Sequence, residues 1–327
     1  MNPLVIGGTG FIGYNIVKAL IDKGFPVRST RRESSNTLFL RKIKPQLVAA
    51  DIEDRASLKL AMKGCDVVFM AAGHYPRYSV GLKTQVAYAV RTIRNVLEAA
   101  RESGIGRFIF TSSVTTLRYA GGNRLVSEQD GIAEPPGRSV YFAVKYAMER
   151  EVIRELEDGM SGTILNVAGC LGPGDIKMGT GFFVVEMANR TLSRYIDGRI
   201  NFVDSEDVAE AHIAAALHPN PARRYIVGNH NTTVSGLLAM ISERYDVPMP
   251  RKKLPLGAGY RASLLKEYAG YIRKQRVSIP LEFVDMLRFG QHYDCSKVRS
   301  GLYNISTPLE ITLDKSYNWF KKFKYIK

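Results

Sequence analysis

The stretch Pro3-Leu-Val-Ile-Gly-Gly-Thr-Gly-Phe-Ile-Gly13 decides how this chain is read. Leu4, Val5 and Ile6 form a short apolar run that predicts a buried strand. Gly7, Gly8, Gly10 and Gly13 follow it and satisfy both the G-x-G-x-x-G and the G-x-x-G-x-x-G spacing. Glycine at such positions permits a tight turn and lets backbone approach a pyrophosphate. The N–H groups opening the next helix, predicted through about Ile21, then face an anion. An ordinary glycine turn would show the same letters; the strand before it and the helix after it favour a dinucleotide site. On that reading Gly7, Thr9, Gly10, Phe11, Ile12 and Gly13 contact the dinucleotide.

Working outward, strands are predicted at 27–30, 47–50, 67–71, 108–110 and 163–167. Helices are predicted at 56–62, 80–103 and 140–156, with a long loop over 119–138. In the second of these helices Val86, Val90, Ile93, Val96, Leu97 and Ala100 recur three or four apart. Alternation of β and α through residue 167 predicts an α/β fold, a Rossmann-type doubly wound parallel sheet. Beyond 175 the pattern loosens. Helices are expected at 182–192, 206–217 (capped by Ser205), 234–245 and 309–323, and strands at 200–203 and 224–227. Pro248, Pro250 and Pro255 read as a linker, and 257–290 reads as helix broken at Pro280. The expected division is a dinucleotide-binding domain at 1–168, to which 200–217 returns, and a smaller, mixed substrate-binding part at 169–199 and 218–327.

Of 327 residues, 45% are hydrophobic and 24% charged, the composition of an ordinary globular enzyme. No apolar run is long enough to span a membrane, and no signal-type stretch leads the chain. Cys65, Cys170 and Cys295 are widely spaced and odd in number, which argues for a reducing compartment against a disulfide frame or zinc site. A cytoplasmic location is therefore expected. Net charge is +15, and residues 251–327 hold 16 Lys/Arg against 6 Asp/Glu. Basic and apolar residues alternate there, which reads as a solvated basic surface rather than a specific nucleic-acid module. The terminal Trp319-Phe-Lys-Lys-Phe-Lys-Tyr-Ile-Lys327 is short, and contact with a membrane surface is the other reading of it.

Tyr141 and Lys145 lie four apart in a predicted helix and share a face. An ammonium beside a phenol stabilises the phenolate and is expected to lower its pKa, suiting Tyr141 to proton transfer. By itself Tyr-x-x-x-Lys is better read as a helix surface pair. Ser112 and Ser113, at the carboxyl end of a predicted strand, change that, because open α/β sheets bind ligands there.

With these residues assembled, the chain resembles the extended short-chain dehydrogenase/reductases, the epimerase/dehydratase superfamily, over nearly its whole length. Gly7, Gly10 and Gly13 match the cofactor glycines; Asp51-Ile52 the adenine-contacting pair; Ala71-Ala72-Gly73 the strand-four motif; and Asn95 the helix-four pattern. The resemblance implies Ser113 for substrate orientation, Tyr141 for proton transfer, and Lys145 for the ribose hydroxyls and the tyrosine. It also implies a homodimer through 80–103 and 140–157. Ile6 and Ala89 depart from the usual pattern, and Ser112 beside Ser113 leaves the serine assignment open by one residue. The spacing from Asn166 to Gly172-Pro173 and the run Ala-Ala-Gly-His-Tyr75 resemble the dihydroflavonol-reductase-like branch. His74, Tyr75, Asn166 and Phe182 are candidate substrate contacts with Ser112 and Ser113; Phe182, Phe183 and Met187 are read either as a pocket wall or as core.

Arg31 stands where NAD-using members usually place an acid against the adenosine ribose, and its neighbour Arg32 matches the arginine of NADP-using reductases; an arginine there accommodates a 2′-phosphate. Glu33 is read as a solvent residue. The expectation is an NADP-preferring oxidoreductase, with NAD possible, acting on a small organic carbonyl or alcohol. The alternatives are a nucleotide-sugar epimerase or dehydratase retaining NAD, and a non-catalytic redox sensor; the latter usually lacks the Tyr/Lys pair.

Overall fold

A computed structural model describes residues 1–76, 78–275 and 280–327. The first half alternates as the sequence predicts, with one helix, α2, that was not expected: β1 (Pro3–Ile6), α1 (Phe11–Asp22), β2 (Arg28–Arg31), α2 (Leu38–Ile43), β3 (Gln46–Ala49), α3 (Arg55–Met62), β4 (Val67–Met70), α4 (Leu82–Glu102), β5 (Arg107–Ser113), α5 (Val140–Glu157) and β6 (Gly162–Val167). The second half adds β7 (Gly169–Leu171), α6 (Phe182–Ala188), β8 (Arg194–Ile196), β9 (Arg199–Asp204), α7 (Ser205–Leu217), β10 (Arg224–Val227), β11 (His230–Thr233), α8 (Val234–Tyr245), β12 (Lys252–Leu254), α9 (Leu256–Arg273), α10 (Leu281–Arg288), α11 (Ser296–Gly301) and α12 (Leu309–Lys322).

The main sheet has seven parallel strands in the order β10-β6-β5-β4-β1-β2-β3. Its strands are apolar because helices cover both faces. On one face Ile16, Val17 and Leu20 of α1 pack with Val208, Ala209 and Ile213 of α7. On the other, Leu58 and Met62 of α3, Ile93 and Val96 of α4, and Val144 and Met148 of α5 form a second core. Strand order reverses beside β1, so the carboxyl ends of β1 and β4 open the crevice where such folds bind ligands.

A third core, with Phe183, Met187, Leu238, Val284 and Phe320, sits between the C-terminal elements. It lies under two small sheets, β11-β9-β7 and β12-β8. Phe183 and Met187 are therefore core rather than pocket wall. In the run from Trp319 the apolar residues belong to the core, with Trp319 and Phe320 buried and packed on Tyr325, while the lysines are exposed. β10, from the 218–327 stretch, completes the edge of the main sheet. The supposed linker at 248–255 contains β12, which pairs with β8. The α7 cap is Asp204, whose carboxylate accepts the Glu206 N–H at 2.8 Å, one residue before the Ser205 expected. The helical expectation over 257–290 divides into α9 and α10, and its 276–279 portion lies outside the described residues.

Candidate active site

The turn after β1 is held by a hydrogen bond from the Gly10 N–H to the Gly7 carbonyl, 2.9 Å. Gly7 has φ +93°, and a Cβ there would lie 2.5 Å from the Ala72 nitrogen. A Cβ on Gly13 would lie 2.2 Å from the Gly7 oxygen. Both glycines are thus required, one by conformation and one by the close approach of α1 to the turn. Thr9, Phe11 and Ile12 are half-buried at the helix start, and the Ala71-Ala72-Gly73 segment runs beside the turn. Asn95 on α4 donates to the Ile52 carbonyl at 3.0 Å and to that of Glu53 at 3.2 Å, fixing the Asp51-Ile52 segment after β3.

Arg31 ends β2 and Arg32 follows it. Among the described residues neither guanidinium has a hydrogen-bond or ion-pair partner, and Glu33 is exposed. A glycine turn that a single Cβ would block, backed by two unpaired guanidiniums at the ribose end, fits a dinucleotide.

Ser113 closes β5, and Tyr141 and Lys145 stand on successive turns of α5, whose Ser139 cap accepts the Phe142 N–H at 3.4 Å. All three side chains are buried. Ser113 and Tyr75 both act on the Tyr141 hydroxyl. The Tyr75 and Tyr141 rings lie 4.7 Å apart. Tyr75 is 60% exposed as a residue, yet burial around its hydroxyl, with Tyr141 beside it, raises its pKa well above the ordinary phenol value. Lys145 approaches Gly73, where a Cβ would meet its Nζ at 3.1 Å.

Burial raises the Tyr141 pKa, opposite to the lowering expected from the lysine; Tyr75 and Ser113 offset part of the rise. The same burial depresses Lys145 to about 8, while the negative charge of Glu149 works against that depression. Desolvation disfavours both the phenolate and the ammonium, and it is the dominant cause at each.

Ser112 resolves away from the cleft. Its hydroxyl donates to Glu149, which also accepts from Thr116 Oγ1 at 2.6 Å and Asn166 Nδ2 at 3.0 Å and pairs with Arg224 at 2.7 Å. Asn166 also donates to the Ser113 carbonyl at 3.1 Å. It is fully buried behind the serine rather than facing substrate. His74 turns to α4, where its Nε2 bonds Gln85 and its ring packs 4.7 Å from that of Tyr88. Phe182 is half-buried against Phe183, 6.0 Å between rings. Of the substrate candidates, Tyr75 and Ser113 meet Tyr141; Ser112, Asn166 and His74 have other partners.

Two groups went unnoticed in the sequence. Glu149 lies four residues after Lys145, so the Tyr141 and Lys145 helix face continues onto it, and that spacing was readable. Glu282 on α10 was not, because only packing brings it to the site, where its charge is felt by both Tyr75 and Tyr141. Burial first, then repulsion from Glu267, lifts Glu282 to about 7.

Residues 3–228 match the model of the NAD dependent epimerase/dehydratase family. A putative dihydroflavonol 4-reductase of Synechocystis sp. is 29% identical over 328 residues, 99% of this chain and 95% of that one. Sterol demethylase protein B of Methylococcus capsulatus is 25% identical over 98% of this chain and 99% of its own length. Among solved structures, UDP-glucose 4-epimerase from Thermotoga maritima superposes with a TM-score of 0.79 at 21% identity, covering 99% of this chain and 100% of that one. The glycine turn, the Ser113, Tyr141 and Lys145 cluster and these matches lead to one conclusion: the chain is an enzyme of the NAD-dependent epimerase/dehydratase family, the extended short-chain dehydrogenase/reductases.

Proposed function

We propose that the protein is an NADP-preferring reductase of a small to mid-sized organic carbonyl compound, able to run the reverse oxidation. The convergence of Ser113 and Tyr75 on Tyr141, one helix turn before Lys145, carries the reading. The nicotinamide, when bound, supplies or accepts the hydride. Ser113 orients the substrate oxygen, and Tyr141 gives it a proton. The raised Tyr141 pKa keeps the phenol protonated at neutral pH, as a general acid requires. Lys145, cationic below about pH 8, holds the ribose hydroxyls and supports the phenolate that remains. Arg31 and Arg32 are the residues that would grip a 2′-phosphate. Glu282 adds a carboxyl whose charge reaches Tyr75 and Tyr141, an arrangement that favours a neutral carbonyl over an anionic one. The relative from Synechocystis sp., by name a reductase, supports the same choice.

The test is an assay of purified protein against a panel of carbonyl compounds with NADPH and NADH in parallel. NADPH should be consumed and preferred by roughly tenfold or more, and Arg31→Asp should abolish that preference. Tyr141→Phe should cost about 10²–10⁴-fold in kcat with cofactor affinity retained. Tightly retained NAD, no net cofactor consumption and turnover of a nucleotide sugar would establish an epimerase instead.

A further inference from the structure

Helix α9 is built with its polarity inverted. The side it turns inward carries Gly259, Ser263, Glu267 and Gly270, all buried. Leu264, Leu265, Tyr268, Tyr271 and Ile272 face outward, 46%, 71%, 64%, 50% and 63% exposed. At 3.6 residues per turn these five fall within an arc of about 120°. Scattered exposed leucines are ordinary, but a contiguous stripe on one helix marks a surface that something covers.

The charges around the stripe indicate what covers it. Residues 251–275 contain seven Lys/Arg and one acid, Glu267, which is buried. Arg261, Lys266 and Arg273 are exposed and make no ion pair among the described residues. An apolar stripe set among long basic side chains matches the interface of an anionic bilayer. The hydrocarbon enters the acyl boundary, and the cationic heads reach the phosphates. A protein partner would have to be apolar and strongly acidic on one face to match it as well.

The inner face of α9 leads back to the candidate site. Glu267 accepts the Ser79 N–H at 2.8 Å, the Tyr78 hydroxyl donates to the Gln275 carbonyl at 2.8 Å, and the Tyr78 and Tyr271 rings meet edge to face at 5.7 Å. Residues 78 and 79 belong to the segment that carries Tyr75 against Tyr141. We infer that α9 docks the protein peripherally on an anionic membrane surface, with the cleft beside the lipid. The inference stands apart from the choice between reductase and epimerase, since binding is read without turnover.

The full chain is mixed with vesicles of phosphatidylcholine alone or with a quarter phosphatidylglycerol, and sedimented. It should sediment with the anionic vesicles and remain in solution with the neutral ones. Leu265→Glu/Ile272→Glu, both at exposed positions, should abolish sedimentation while leaving circular dichroism and cofactor binding unchanged. Lys266→Gln and Arg273→Gln should each weaken it about fivefold. Failure of the unmutated protein to sediment would overturn the inference. So would a Leu265→Glu/Ile272→Glu variant that still sediments, or one whose only change in analytical ultracentrifugation is the loss of a dimer, which would make the stripe a face between two copies of this chain.

Discussion

Glu149 is the residue on which the candidate site turns without touching the cleft. Its carboxylate accepts from Ser112, Thr116 and Asn166 and pairs with Arg224, so it ties β5, β6 and β10 to the helix that carries Tyr141 and Lys145. Its charge also supports the Lys145 ammonium against burial. Glu149→Gln keeps the hydrogen-bonding shape and removes the charge, so Lys145 should titrate below its present value of about 8. The activity that depends on a charged lysine is then lost at lower pH, and the alkaline limb of the kcat/KM profile moves in the acid direction. An unmoved limb would assign Glu149 to structure only. Glu149→Ala should in addition cost about 3–5 kcal/mol of stability, since it leaves the Arg224 guanidinium without its buried partner. Urea denaturation reads that cost. Ser113, Tyr141 and Lys145 could be picked from the letters because their chemistry is fixed by strand end and helix turn. Ser112 and Asn166 could not be placed, because alternate residues of a strand point to opposite sides and no local rule says which side is the cleft.

At the scale of elements, α7 shows how a helix from the second half is locked to the main sheet. It packs on α1, and His212 anchors it to β5. The His212 Nδ1–H donates to the Val208 carbonyl at 2.7 Å, so Nε2 accepts the Thr111 hydroxyl at 2.8 Å. Burial pushes the ring down to about 4, and it is neutral in the folded protein near pH 7. Below pH 6.5 the unfolded chain takes up a proton that the folded one refuses, so stability falls as pH drops from 6.5 to about 4. The contribution lost is about 3 kcal/mol. Glu282 and Asp285, raised to about 7 and about 6, act with the opposite sign over part of this window. The difference between the native protein and His212→Gln isolates the histidine. Thermal melts of the two across pH 7 to 4 should converge as pH falls; a constant gap would show that His212 does not titrate this way. The α/β half was legible because buried parallel strands are apolar runs closed by glycine or a small residue. β8 and β12 were not, since three-residue strands such as Arg194-Tyr-Ile196 and Lys252-Lys-Leu254 at a small sheet's edge show no alternation. The faces of α9 are not legible in the sequence, because its inward residues are small or polar.

Over the whole molecule the excess positive charge is unevenly spread. Around α3, α4 and α5 many cations are matched, among them Arg91 with Glu53 at 3.1 Å, and Arg94 and Arg154 both with Glu151 at 2.8 Å. Positive charge is in excess at 251–275, where seven cations stand with one buried acid and Lys253 pairs with Asp197 at 2.9 Å. A field of this kind attracts any polyanion, but the exposed face of α9 interleaves its arginines and lysine with leucine, tyrosine and isoleucine. About three phosphates at most can be met there at once, by Arg261, Lys266 and Arg273. Binding to duplex DNA should therefore be weak and indifferent to sequence. The counterion slope for three contacts is about −2.7, so affinity should fall about 40-fold between 50 and 200 mM salt. Fluorescence anisotropy on two unrelated duplexes at both salt concentrations measures this, and replacing the three residues with glutamine should remove what binding there is. A duplex held tightly at physiological salt, or one sequence preferred over the other, would mean that the basic end reads nucleic acid by contacts beyond those the field supplies.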